Sequence, residues 1–239
     1  MAPPTITICG NIGAGKSTLF EGVLKRYMTE CRTRRGNLPF RLHRLDEPCE
    51  EWLAEGTLDR FYQAQARAKP NERVAEAMGF QIRILQTQVQ AYERLLGSLP
   101  PRIGDSLDFQ SAFPKRDIIF SERSPQDGLM VFVKAQHACG QLCDTDAQAL
   151  IWFYRRMAWQ PSHYIFVRSD PEVCYSRVQS RNRVEESDMS LQYLETLHNY
   201  YEQFYSQVMC RHPVLVLDNG EGTDMGALTQ QAWDWVSAV

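Results

Sequence analysis

Residues 10–17 read Gly10-Asn11-Ile12-Gly13-Ala14-Gly15-Lys16-Ser17, or GNIGAGKS, a complete GxxxxGKS phosphate-binding loop. The chemistry needs those residue types at that spacing. Glycines let successive backbone N–H groups turn toward one anion, Lys16 reaches the outer phosphates, and Ser17 offers a hydroxyl to Mg²⁺. The loop is preceded by a short β-branched apolar run, TITIC at 5–9, and followed from Thr18 to about residue 26 by a helical pattern. A helix starting there turns its positive end toward the same anion. Strand, glycine turn and helix in this order predict a P-loop fold that holds a nucleoside triphosphate.

Outward from the loop, strand-like apolar runs recur at 40–45, 117–120, 163–167 and 214–217, with helical patterns between them. Such alternation predicts an α/β domain with a parallel sheet covered on both faces. In the stretch 75–96, Phe80, Ile84, Leu85, Val89, Tyr92 and Leu96 have the spacing of a long amphipathic helix, and 144–159 and 191–208 read the same way. The aromatics of the last two (Trp152, Phe153, Tyr193, Tyr201, Phe204, Tyr205) are expected in the core or in subunit contacts rather than in a base-stacking platform. The Gly-, Pro- and Ser-containing stretch 97–116 is long enough to be a mobile or lid-like connection.

The 239 residues, 44% hydrophobic and 23% charged, suit one domain over 1–239 with a core and an active-site cleft. With 26 Lys+Arg against 29 Asp+Glu the net charge is -3, so the chain has no basic footprint for nucleic acid. Phosphate recognition must therefore be local. Seven cysteines, an odd number spread along the chain, argue against a disulfide framework and for a reducing compartment. Cys139, Cys143 and His137 lack a fourth ligand and the tight cysteine spacing of a metal site. The first strand begins within a few residues of Met1 and no apolar run could span a bilayer, so the expectation is a soluble, cytoplasmic protein without membrane contact.

Two carboxylates follow strand-like runs: Glu47 in DEPCEEW and Glu122 in SERS. In a parallel sheet the C-terminal strand ends face the crevice of the phosphate loop, so both acids should approach the γ-phosphate. Glu47, ahead of Pro48, could accept a proton from an attacking hydroxyl, and Glu122 could join Ser17 in holding Mg²⁺. Arg177, Arg181 and Arg183 form RxxxRxR after a strand. Like charges one helical turn apart repel, so the cluster is favoured when an anion sits between them. Arg32, Arg34 and Arg35 lie in a polar loop without such placement and read as solvated.

Taken together, GNIGAGKST, DEPCEEW, GFQ at 79–81, SERS and RVQSRNRVEESDMSLQYLETLH at 177–198 resemble the deoxynucleoside kinase family, in this order and over most of the chain. The resemblance implies a five-stranded parallel sheet, a homodimer through long helices, and ATP-dependent phosphorylation of a deoxynucleoside in nucleotide salvage, with Mg²⁺. It makes Glu47 the general base for the 5′-hydroxyl and Arg123 the arginine that binds Glu47 and the 5′-oxygen. It pairs Tyr62 with Glu186 on the 3′-hydroxyl, makes Gln81 the base-pairing glutamine, and lines the base pocket with Trp52, Phe80 and Phe132. Arg177, Arg181 and Arg183 match a lid, about 177–190, that closes on the phosphates, and 217–220 should lie near the donor adenine.

The chain also departs from the family. Where deoxycytidine kinase carries a base-contacting aspartate this chain has Gly128, beside Asp127, and the aspartate's arginine partner is replaced by Gln88. Loss of that ion pair is expected to open the pocket and favour pyrimidine deoxynucleosides including thymidine, or a multisubstrate site, since glycine also leaves space for a purine. The alternatives are a nucleoside monophosphate kinase of thymidylate type and a GTP-binding regulatory module. The first must place a dianionic acceptor against Glu47, and the second lacks NKxD and DxxG motifs.

Overall fold

Five strands, β1 (Thr5–Cys9), β2 (Phe40–Leu45), β3 (Arg116–Glu122), β4 (His163–Arg168) and β5 (Val214–Asp218), form one parallel sheet in the order β2-β3-β1-β4-β5. The computed structural model describes residues 2–35, 37–67, 70–99, 115–183, 186 and 189–239. Residues 100–114, most of the connection expected to be lid-like, lie outside them. Every residue of β1 is buried, as a central strand covered on both faces must be. The chain crosses from β3 on one side of β1 to β4 on the other, so the loop after β1 opens where the strand order reverses.

Among the described residues, helices or helical turns connect and cover the strands: α1 (Lys16–Thr33), α2 (Cys49–Ala54), α3 (Thr57–Arg67), α4 (Pro70–Ser98), α5 (Pro125–Asp127), α6 (Lys134–Ala138), α7 (Asp144–Met157), α8 (Pro171–Arg181), α9 (Leu191–Val208) and α10 (Met225–Ala238). A π-helical turn, Gly128–Val133, joins α5 to α6. The α9 boundaries match the sequence reading, which rested on apolar periodicity, whereas α1 runs seven residues further than the pattern at 18–26. Its added turns are mostly polar and exposed and carry no periodic signal. The sequence reading did not single out α10, although the Asp224 side chain caps it by accepting from the Gly226 N–H at 2.8 Å. Among the described residues no helix is long and apolar enough to cross a membrane.

The main core packs α1, α8, α9 and α10 against the sheet through residues such as Leu19, Phe20, Leu194, Phe204 and Trp233. Each such side chain contributes about 1.5–3 kcal/mol on burial. A second cluster, with Phe61, Phe80, Leu85, Val133, Leu150 and Tyr154, ties α3, α4 and α7 to the π turn. It forms the wall behind one end of the crevice described below. Trp152 and Phe153 are exposed on α7 rather than in the core, and Tyr154 between these aromatics and the helix end is the buried one.

The phosphate loop is held against α8. Gly13 has φ +80°, and a Cβ there would sit 2.5 Å from the Cys174 carbonyl oxygen. Gly13→Ala is therefore expected to destabilise the protein by about 2 kcal/mol, through left-handed strain and displacement of α8, as read by urea denaturation.

Candidate active site

The C-terminal ends of β1, β2 and β3 open into a cavity of about 640 Å³. Ile12, Gly13, Lys16 and Ser17 of the loop line one end. Gly10 and Asn11 border a smaller cleft on the other side, Ala14 is fully buried behind the loop, Gly15 is half-buried, and Thr18 is exposed on α1. Two bonds from distant segments hold the loop: Asn219 Nδ2 donates to the Ala14 carbonyl at 2.7 Å and Asn11 Nδ2 to the Leu194 carbonyl at 2.8 Å. The Lys16 ammonium donates to the Asn11 carbonyl at 2.8 Å. Its pKa is lowered to about 8, chiefly by burial and then by the nearby Arg123 charge, against the pull of Glu122 and Glu47.

Glu47 and Glu122 reach this cavity from adjacent strand ends, because β2 and β3 pair in parallel with Leu45 opposite Ser121. Ser17 Oγ donates to Glu122 Oε1 at 2.6 Å, which sets a hydroxyl beside a carboxylate at the first turn of α1. Burial and then the Glu47 charge raise the Glu122 pKa. Arg123 follows β3 in the left-handed region, φ +59°, unusual for a residue with a side chain. Its backbone N–H still bonds the Ile8 carbonyl of β1 at 3.0 Å. The turn aims the guanidinium between Glu47, whose Oε1 lies 3.0 Å from Nε, and the Tyr201 hydroxyl, which accepts from a terminal nitrogen at 2.5 Å.

Tyr201 in turn donates to Asp127 Oδ1 at 3.2 Å. The other oxygen of Asp127 accepts from the Ser124 N–H and hydroxyl at 3.1 and 2.9 Å and from the Cys9 thiol at 3.3 Å. Asp127, buried at the start of the helical stretch, thus supplies a second negative charge to the Arg123 guanidinium through a tyrosine bridge. Helical periodicity places Tyr201 in the core or in a subunit contact, and Asp127 stands out in the sequence only as the neighbour of Gly128. No local pattern connects residues 123, 127 and 201; they meet because α9 packs on the π turn that follows Asp127.

The three arginines do not act as one cluster in this arrangement. Arg181 and Arg183 line the cavity, and the anion beside them is the chain's own Glu186, 2.5 Å from Arg181 and 3.8 Å from Arg183. Arg177, one turn earlier on α8, turns to the end of β5. There it donates to the Ser169 hydroxyl, the Asn219 carbonyl and side chain, and the Gly220 carbonyl, at 3.0–3.4 Å. The helical spacing read correctly, but the strand-end acceptors of 217–220 capture the first guanidinium.

Trp52, Phe80 and Phe132 line the far end of the cavity. Trp52 meets Phe80 edge-on, with centroids 6.2 Å apart, and its indole N–H donates to Thr87 Oγ1 at 2.9 Å. The Arg123 guanidinium lies 4.9 Å over the Phe132 ring. Tyr62 also lines the cavity, and its phenol pKa is raised by burial first and then by Tyr193 and the Glu186 carboxylate, so 62 and 186 share one neighbourhood. Gln88 and Gly128 face the cavity. Gln81 is fully buried one layer behind the wall, with Oε1 accepting from the Tyr154 hydroxyl at 3.1 Å.

That hydroxyl also corrects the expectation of an open pocket at Gly128. A Cβ at residue 128 would lie 2.5 Å from the Tyr154 oxygen, so the space next to the glycine is already filled. An aspartate there requires Tyr154 to move. The tyrosine signal was present in the aromatic run 152–154, but which of the three faces inward depends on how α7 packs on α4 and the π turn.

Tyr201→Phe removes the bridge while keeping the ring. It is expected to cost about 1–3 kcal/mol by leaving an Arg123 N–H and an Asp127 oxygen short of a partner, a loss measurable by urea denaturation.

A family model described as deoxynucleoside kinase matches residues 6–234. A fowlpox virus "probable deoxycytidine kinase" is 26% identical over 224 residues, covering 91% of this chain and 79% of the relative. Human mitochondrial thymidine kinase 2 is 31% identical over 104 residues, 41% of this chain and 39% of its own. In fold, the chain is similar to a deoxyadenosine kinase from M. mycoides solved with bound dCTP, with TM-score 0.70, 21% identity, and coverage of 98% of this chain and 100% of that one. The match over nearly the full length, on a sheet whose strand ends carry the phosphate loop, both acids and Arg123, establishes that this chain belongs to the deoxynucleoside kinase family.

Proposed function

We propose that the protein transfers the γ-phosphoryl group of ATP to the 5′-hydroxyl of a deoxynucleoside, with Glu47 as general base. The observation that supports this most is the Glu47–Arg123 pair, 3.0 Å apart, on the same cavity as Lys16 and Ser17. Glu47 takes the proton of the 5′-hydroxyl, the oxygen attacks the γ-phosphorus, and the bond to the β-phosphate oxygen breaks to release ADP. Lys16, Arg181 and Arg183 stabilise the charge on the transferred group. Tyr62 and Glu186 hold the 3′-hydroxyl, and Glu186 thereby links the acceptor sugar to the two arginines it contacts.

Mg²⁺ fits the hydroxyl–carboxylate pair of Ser17 and Glu122, both hard oxygen donors. Among the described residues no group of three or more His, Cys, Asp and Glu side chains could hold a metal by itself, so phosphate oxygens and water would complete its shell. When bound, the ion neutralises charge on the outer phosphates. Tyr154, filling the space at Gly128, shortens the acceptor end and favours a pyrimidine such as thymine or cytosine over a purine. Trp152 and Met157, about half exposed on α7, support an α7-containing homodimer interface.

An assay of labelled ATP with thymidine and with thymidylate tests the acceptor class: phosphorylation of the nucleoside is expected, and preferential use of the monophosphate overturns the reading. Glu47→Gln is expected to lower kcat by about 10²-fold or more while leaving ATP binding nearly intact, measured by steady-state kinetics and calorimetry. Lys16 supplies a pH signature. Its folded pKa of about 8 lies below the usual value of 10.5, and a bound triphosphate raises it again, so binding above pH 8 takes up a proton. ATP affinity should fall up to about tenfold per pH unit above pH 8. Calorimetry in two buffers of different ionisation enthalpy should report uptake approaching one proton at pH 9, lost in Lys16→Met.

A further inference from the structure

A residue outside the expected site stands at the acceptor end of the cavity. Gln136, on α6, lines the cavity and is 1% exposed, and neither its Oε1 nor its Nε2 has a hydrogen-bond partner among the described residues. A buried amide with neither face paired is costly, and native proteins seldom keep one without a partner that arrives from outside. Two further amide groups near this end are also unpaired: Oε1 of Gln88, which lines the cavity, and Nε2 of Gln81, whose other end is held by Tyr154. Aromatic and aliphatic neighbours such as Phe132, Phe80 and Ile84 offer them nothing.

The backbone explains why Gln136 faces inward. Gly128, Phe132 and Gln136 follow one another at intervals of four along one helical stretch and all three line the cavity. The π turn over Gly128–Val133 seats Gly128 against Tyr154 and returns Phe132 and Gln136 to the same wall. Position 136 therefore lies one turn beyond the aromatic that faces the acceptor. A primary amide presents a donor and an acceptor side by side, the complement of the carbonyl–imide or amino–imine edge of a nucleobase.

We infer that Gln136 is a specificity-determining residue of the acceptor site: its amide hydrogen-bonds a polar edge of the nucleobase. This rests on the deoxynucleoside reading above and adds to it a base contact. An apolar residue at 136 would serve a structural role better, because it would leave no unpaired amide. The free protein thus carries an unfavourable group that only the acceptor relieves.

The test is Gln136→Met, close in size, with Gln136→Leu as a second variant, each compared with wild type in a four-deoxynucleoside kinetic panel and in thermal melts without ligand. The expected result is at least a tenfold rise in KM for the preferred nucleoside, a changed order among the four bases, an ATP KM within twofold of wild type, and a melting temperature about 2–4 °C higher. KM values within twofold of wild type for all four nucleosides, or an equal rise for all four, would overturn the base contact. A wild-type protein that phosphorylates none of the four overturns the deoxynucleoside reading itself, a result separate from either.

Discussion

A guanidinium buried in a protein must find enough negative charge nearby to offset its lost hydration, and Arg123 is buried to 8% exposure where three strands end. It finds Glu47 directly and Asp127 through Tyr201. Removing one member of such a pair typically costs about 3–5 kcal/mol, because the remaining charge is left uncompensated. The arrangement therefore holds four segments in place at once: the turn after β2, the turn after β3, the start of the π-helical stretch and the middle of α9. The carboxylate proposed as base owes its orientation to this cluster. A short acidic loop by itself would leave Glu47 free to rotate into solvent.

The same cluster lends character to the phosphate end. Lys16 is buried and sits within the field of Arg123, so its ammonium is less favoured than on a surface, and the triphosphate proposed to bind here would restore it. The loop around it is pinned from the far side of the sheet by Asn219 and from α9 by the Leu194 carbonyl. Preorganised N–H groups need not be reoriented when an anion arrives, which is how a glycine loop becomes a binding site rather than a flexible turn. Arg177 belongs to this support, since it gathers the acceptors at the end of β5.

At the acceptor end the shape is set by packing. A π turn adds a residue to a helical turn and so changes which side chains face inward, and such turns are frequent at functional sites. Here the extra residue lets Gly128 meet Tyr154, and the tyrosine fixes Gln81 from behind. The shape of this end of the cavity thus depends on a residue of α7 that belongs to the second apolar cluster.

Much of this molecule was legible before any tertiary contact was known. The strand runs at 5–9, 40–45 and 214–217 carry period and composition that backbone physics reads directly, and GNIGAGKS encodes its own local geometry through glycine φ angles. Strand-end placement was enough to bring Glu47 and Glu122 to one crevice, because parallel strands share a direction. The rest depended on contacts between residues far apart in sequence. Arg177 leaving its neighbours for Asn219, Tyr201 joining Arg123 to Asp127, and Tyr154 filling the space at Gly128 each link segments separated by 26 to 78 positions. The sequence by itself determined the nucleotide-binding class and the sheet, since those follow from local periodicity and a contiguous motif. Only the tertiary structure decided which charges are neutralised and how deep the acceptor end is, because both depend on which side chains close packing leaves without room or without a partner.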